Sequence, residues 1–220
     1  MTAKDLIQDT IPPLKTSDTG KKALSWMDEF RVSHLPIVNN IDFLGLISEE
    51  DILNMNAPET PLGNHTLSLT RSFVYENQHV YEVMKLIAKL KISVVPVLSQ
   101  EQHYMGLITL PDLVHSMASI VAIEGGGGII TLEVNLHNYS LSEIAHIVES
   151  NDAKILSSYI SSPLDSSKIE LTLKIDKMDL SRILAAFSRY NYTVTASYHE
   201  SEFIDDLKSR YDALMKYLNI

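Results

Sequence analysis

Cysteine is absent from the 220 residues. That excludes a disulfide framework, a thiolate metal site and a cysteine nucleophile, and it fits a reducing, cytoplasmic setting. Positive charge is scarce: 18 Lys and Arg stand against 28 Asp and Glu, for a net charge of −10. Such a field repels phosphate backbones, so nucleic acid is not expected as a partner. No apolar run approaches the roughly 18 residues that a membrane span needs. The first six residues carry Lys4 and Asp5 without an apolar core, so neither a membrane anchor nor a secretory leader is expected. Glycine numbers eight, and four of these stand together at Gly125 to Gly128. A phosphate-binding loop would follow a strand and open a helix; this run follows a helical pattern, and it reads as an interdomain linker. What the chain does have is 45% hydrophobic residues, enough for a packed core in one or two domains.

The first 120 residues repeat themselves. Gly45-Leu46-Ile47-Ser48-Glu49-Glu50-Asp51 returns, 61 residues later, as Gly106-Leu107-Ile108-Thr109-Leu110-Pro111-Asp112. Ala23, Trp26, Met27 and Phe30 form a helical stripe, matched by Val80, Val83, Met84, Ile87 and Leu90. The β-branched runs Val32 to Val38 and Ile92 to Leu98 follow as strands, each interrupted by a proline, Pro36 and Pro96. One extra residue in the turn Ser99 to His103, compared with Asn39 to Asp42, changes the offset from 60 to 61. Each copy therefore reads as helix, strand, strand, helix, preceded by an extended piece near Ile11 to Leu14 and Leu69 to Val74. Two such units bury too little surface singly and are expected to pack face to face about a pseudo-twofold axis. Ala57 to Asn64, with two prolines and a glycine, is the expected connector.

A different pattern begins after the glycine run. Strand, helix, strand, strand, helix, strand follow one another from Ile129 to Tyr198, with Ile169, Leu171, Leu173 and Ile175 alternating with polar residues. That order is the βαββαβ of a ferredoxin-like sandwich. A last stripe, Phe203, Leu207, Tyr211, Leu214 and Leu218, predicts an amphipathic C-terminal helix that docks on this chain or on a partner.

The repeat resembles the CBS domain, which occurs in tandem pairs. The marks are the aliphatic residue before Pro36 and Pro96, the glycines at 45 and 106, and the Ser48/Asp51 and Thr109/Asp112 pairs. The later part is similar to ACT-type regulatory modules. A CBS pair followed by an ACT-like module resembles the stand-alone bacterial proteins related to the acetoin-utilisation accessory type. The fold class is thus α/β (α+β), with CBS repeats at 1–60 and 61–123, a glycine linker at 124–128, an ACT-like domain at 129–199 and a C-terminal helix at 200–220.

The resemblance implies an adenine-nucleotide sensor that is not an enzyme and needs no cofactor. In CBS pairs the motif aspartate typically binds ribose hydroxyls, and the neighbouring Ser or Thr reaches ribose or phosphate. A carboxylate accepts two hydroxyl protons at once, and bonds to a charged acceptor are the stronger kind. Carried over, one cleft combines Thr109 and Asp112 with Ser33, His34 and Pro36; its mirror combines Ser48 and Asp51 with Ser93, Val94 and Pro96. Family members often place a basic residue beside these positions, where this chain has Glu49, Glu50, Leu110 and Pro111, so the Thr109/Asp112 cleft ranks first, with His34 as the residue able to carry positive charge. The effector turn of the ACT-like module would be His137, Asn138, Tyr139, Ser140 and Leu141, without the glycine that eases close backbone approach.

Plainer readings stand beside these. A hydroxyl residue followed three positions later by an acid also caps a helix without any ligand. The eight histidines show no paired ligand spacing, and no nucleophile elbow or kinase signature occurs. A homodimer is expected, with an unidentified protein target. The alternative functions are a ligand-free dimerisation scaffold or an accessory subunit of an enzyme or transporter.

Overall fold

In the computed structural model the described residues are 1–65, 69–161 and 167–198, together with Met215 and Tyr217. Apart from those two, the expected C-terminal helix lies outside the described residues. The chain divides into two compact units, Met1–Ser116 and Met117–Ile220.

The first unit holds α1 (Gly20–Phe30), β1 (His34–Asn39), β2 (Asp42–Ser48) and α2 (Glu49–Leu53), then β3 (Val74–Tyr75), α3 (Val80–Leu90), β4 (Val94–Leu98), β5 (Tyr104–Thr109) and the start of α4 (Leu110–Ile120). The duplication is structural down to its irregularities. β1 and β2 pair antiparallel with a shift between Ile37 and Val38; β4 and β5 do the same between Val97 and Leu98. Leu14 bridges Ile37 in parallel as Val74 bridges Val97. α1 and α3 both end on a non-glycine residue in the left-handed region, Arg31 at φ 56 and Lys91 at φ 54. α2 is shorter than α4 because Asn54, Asn56 and Pro58 follow it, while α4 meets no breaker before the glycine run.

The two repeats exchange their leading segments. Residues 2–8 leave the first repeat and dock on the second: Ala3 N–H donates to Gln78 O at 2.8 Å, Lys4 N–H to Glu76 O at 3.0 Å, and Gln8 N–H to Leu107 O at 2.9 Å. In return, Thr70 and Leu46 exchange backbone hydrogen bonds at 2.9 and 3.3 Å. This explains the motif glycines. A Cβ on Gly106 would lie 2.4 Å from Ile7 Cγ2, and one on Gly45 would lie 2.6 Å from Leu69 Cβ. A side chain at either position would expel the incoming segment. The exchange buries Ala3 and Leu6, and burying one leucine side chain is worth about 1.5–3 kcal/mol.

Equivalent residues also meet one another, which locates the pseudo-twofold axis. Phe43 stacks on Tyr104 with ring centroids 6.4 Å apart, Asp42 bridges His103, and Ser33 N–H donates to Ser93 Oγ at 3.0 Å. One continuous core from both repeats, with Leu35, Ile37, Ile47, Val95, Val97 and Ile108 at its centre, holds the unit together.

The second unit contains β6 (Gly128–Asn135), α5 (Leu141–Glu149), β7 (Ile155–Ser161), β8 (Lys168–Ile175), α6 (Ser181–Arg189) and β9 (Thr193–Tyr198). The strands form one antiparallel sheet in the order β7-β8-β6-β9, the ferredoxin-like topology expected from the element order. Alternate residues of β6 and β8, including Ile130, Leu132, Leu171 and Leu173, are buried with Ile144, Val148, Ile183 and Phe187 of the two helices. The glycine run is only partly a spacer. Gly127 sits at φ +122 with the Ile175 carbonyl where its Cβ would be, and a Cβ on Gly128 would press on Leu180 at 2.5 Å. Gly128 N–H donates to Lys177 O at 2.8 Å, so the second half of the expected 124–128 linker is built into the packed unit.

Candidate functional site

Ser48 and Thr109 end their strands and stand immediately before α2 and α4, which puts Asp51 and Asp112 in the first turns of those helices. At the first corner, Asp51 N–H donates to Ser48 Oγ at 3.1 Å, while Ser48 N–H and Oγ–H donate to one Asp51 carboxylate oxygen, Oδ2, at 2.9 and 2.6 Å. This is a complete capping box. At the second corner Asp112 N–H donates to Thr109 Oγ1 at 3.3 Å, and the threonine hydroxyl donates to Asp112 Oδ2. Its other oxygen, Oδ1, accepts from Gln8 Nε2 at 3.1 Å. Ser48 and Thr109 both cap their helices as the plainer reading expects, Asp51 completes the box at the first corner, and Asp112 is held by the Thr109 hydroxyl and by the exchanged N-terminal segment.

Ser33, His34 and Ser93 meet on the pseudo-twofold axis. Ser93 N–H donates to His34 Nδ1 at 3.3 Å, and the Ser33 and Ser93 hydroxyl oxygens lie 3.0 and 3.3 Å from the same nitrogen. A backbone N–H can donate only to an unprotonated ring nitrogen, so the imidazole is neutral with its proton on Nε2. Burial lowers the His34 pKa, and the charge of Asp51 opposes that shift. His34 in this arrangement joins the repeats rather than offering a cation. The Ser33 carbonyl accepts from Glu49 N–H at 3.0 Å and the Ser93 carbonyl from Leu110 N–H at 3.2 Å, which ties the axis to the heads of α2 and α4. In register His34 lies opposite Ser48, and Val94 opposite Thr109. Pro36 and Pro96 are buried in the strands beside Leu46 and Leu107. A cavity of about 510 Å³ opens beside Ser33, Ser93, Arg31 and Glu49.

In the second unit, the predicted effector turn spends its polar groups locally. Asn135 Oδ1 accepts from His137 N–H at 3.0 Å, and Ser140 caps α5 by accepting from Glu143 N–H at 3.4 Å. Tyr139 packs on the core and Leu141 is exposed. Asn138 lines a cavity of about 380 Å³ with Glu143, Lys168 and Tyr192. The Tyr192 hydroxyl donates to Glu143 Oε2 at 3.0 Å; burial, then this bond, push its pKa up to about 12.

Gln8 is the residue that sequence reasoning missed. The glycine at 106 signals close approach by some backbone, yet nothing in the local pattern says that the approaching segment is residues 2–8. Among the described residues, no group of three or more His, Asp and Glu side chains could hold a metal ion, and no helix is long and apolar enough to cross a membrane.

A duplicated strand–strand–helix unit closed about a pseudo-twofold axis, with a hydroxyl–carboxylate pair in each half, defines a tandem pair of like domains. Residues 3–57 and 70–119 each match the CBS domain. Among curated proteins, the homoserine O-acetyltransferase of Methanobrevibacter ruminantium is 24% identical over 116 residues, which are 52% of this chain and 24% of that protein. The chain thus spans about a quarter of the length of that relative. Among solved structures, a CBS domain pair/ACT domain protein from Thermotoga maritima is 21% identical at a TM-score of 0.48, covering 54% of this chain and 98% of that one. CBSX2 in complex with AMP is 20% identical at a TM-score of 0.47, covering 54% of this chain and 97% of that one.

Proposed function

We propose that the chain is a non-enzymatic, cytoplasmic regulatory protein whose CBS pair binds an adenosine-type nucleotide, AMP, ADP, ATP or a derivative, and passes the occupancy to the ACT-like second unit. The observation that supports it is the Thr109/Asp112 and Ser48/Asp51 pairs, set twice at the strand-to-helix corner inside a CBS pair. Each supplies a carboxylate, the kind of charged acceptor to which a ribose diol donates two hydrogen bonds. Asp112 stands in the first turn of α4, the helix along which the chain leaves the first unit, so a ligand held there acts on the connecting element. The effect on the second unit is limited to the difference in nucleotide affinity between its two arrangements. A homodimer and a separate protein target complete the proposal. Calorimetry with AMP, ADP and ATP on wild type and Asp112→Ala tests it: binding that weakens about tenfold or more in the variant is expected from losing charge-assisted bonds, and no heat with any of the three would overturn it.

A ligand-free dimerisation scaffold is the second reading, and the completed capping box at Ser48/Asp51 favours it, because that carboxylate has a structural role without a ligand. Light scattering across concentration separates the two. The scaffold reading expects an oligomer indifferent to nucleotide.

A further inference from the structure

Asp112 differs from Asp51 in what reaches it from the other repeat. Gln8 arrives on the exchanged segment, which is anchored by its backbone bond to Leu107 O at 2.9 Å and by the docking of Ala3 and Lys4. Its side-chain amide then donates to Asp112 Oδ1 at 3.1 Å, across 104 residues of sequence. With Thr109 Oγ1 donating to Oδ2, both oxygens of this carboxylate are engaged by the protein itself. At the first corner the residue in the position of Gln8 is Thr70, which pairs with Leu46 through its backbone as Gln8 pairs with Leu107. Its side chain is too short to act as Gln8 does, and among the described residues the bonds to the Asp51 carboxylate come from Ser48 alone.

We propose that Gln8 is an internal stand-in for the ligand: its amide takes an acceptor position on the carboxylate oxygen that a ribose hydroxyl would use, so that a nucleotide at Asp112 competes with the Gln8 side chain. This inference rests on the nucleotide reading of the cleft and adds a residue that sets its affinity. The Gln8 amide and a ribose hydroxyl are both neutral donors to the same anion, and the amide takes one of the acceptor directions of Oδ1, so the two compete for it. Because the donor is carried on the N-terminal segment, displacement also loosens one of the contacts that hold the exchanged segment on the second repeat. Nucleotide occupancy and docking of residues 2–8 are then linked with opposite sign. The bound conformation is a fraction of the free protein, and apparent affinity falls by that fraction.

The test reads the Asp112 cleft alone, in a full-length Asp51→Ala background. Calorimetry with AMP compares that protein with Asp51→Ala carrying Gln8→Met, which keeps the length and the backbone bond but lacks the donor, and with Asp51→Ala carrying Gln8→Ala. Melting temperatures show that each variant is folded. Both second substitutions are expected to tighten AMP binding by about fivefold, the effect of removing one competing hydrogen bond of ordinary net strength. Unchanged or weaker binding in folded Gln8→Met and Gln8→Ala variants would overturn the role of Gln8 and leave the nucleotide reading standing. No binding of AMP, ADP or ATP by any of the proteins, wild type included, would overturn both.

Discussion

Asp51 and Asp112 occupy the same position in two copies of one unit, and the same three-residue spacing makes each a helix cap. Their surroundings differ. Asp51 lies in the first turn of the short helix α2, with Glu49 and Glu50 before it adding charge that disfavours a phosphate; Asp112 sits beside Leu110 and Pro111 but has Gln8 on its second oxygen. The two copies thus keep one scaffold and differ at Glu49 and Glu50 within the repeated stretch and at Gln8 outside it. In the proposed nucleotide reading, acidic charge would weigh against a phosphate at one corner and Gln8 would compete at the other.

The comparison can be broken most severely at the motif glycines. Gly106→Val and Gly45→Val each force a side chain into the exchanged segment, and each is expected to destabilise the first unit by about 3 kcal/mol through overpacking and left-handed backbone strain. Urea unfolding measures this. Equal losses support a symmetric exchange, whereas tolerance at Gly45 alone would show that the two crossings are not equivalent.

The stacked pair on the axis gives the next test. Tyr104 stands where the first repeat has Phe43, and its buried hydroxyl has no hydrogen-bond partner among the described residues. Burial, followed by the nearby Asp9, pushes its pKa far above the phenolic range. Tyr104→Phe is expected to leave stability unchanged or to raise it by up to about 1 kcal/mol, because an unmet buried donor is removed. A clear loss in thermal unfolding would show that the hydroxyl is bonded in solution. The helix ends offer a similar comparison. Arg31→Gly and Lys91→Gly relieve a left-handed Cβ in each repeat, and each is expected to stabilise by up to about 1 kcal/mol in the same assay.

A smaller effect distinguishes the repeats by pH. His34 stands where the second repeat has Val94, and its native pKa is depressed by burial. The unfolded chain, with imidazole near 6.5, then binds more protons than the native state once pH falls through that value. Stability is therefore full above about pH 6.5 and declines as pH drops toward the native pKa. His34→Gln is expected to flatten this slope in denaturant titrations at pH 5 to 7.5. An unchanged slope would place its origin elsewhere.

The duplicated elements and the ferredoxin-like second unit were legible because both rest on local periodicity: the stripes at Ala23 and Val83 and the alternation at Ile169 to Ile175 each report one buried face. The exchange of leading segments was not. Gly45 and Gly106 announce a close approach, but Ile7 and Leu69 are brought there by tertiary pairing that no local pattern encodes. The same limit hid Gln8, an unremarkable polar residue until its segment is placed on Leu107. His34 was read as a source of charge from its position before Leu35-Pro36; the Ser93 N–H that fixes its neutral tautomer comes from 59 residues away. Gly127 and Gly128 looked like spacer because composition does not distinguish flexible glycine from glycine required by a neighbouring backbone.

The most direct measurement is equilibrium dialysis counting AMP bound per chain by the wild type and by the Asp51→Ala, Asp112→Ala double variant. Nucleotide on the wild type and none on a folded double variant is the expected result. Equal occupancy of the two proteins, or none on the wild type, would contradict the assignment of the paired carboxylates as the nucleotide site.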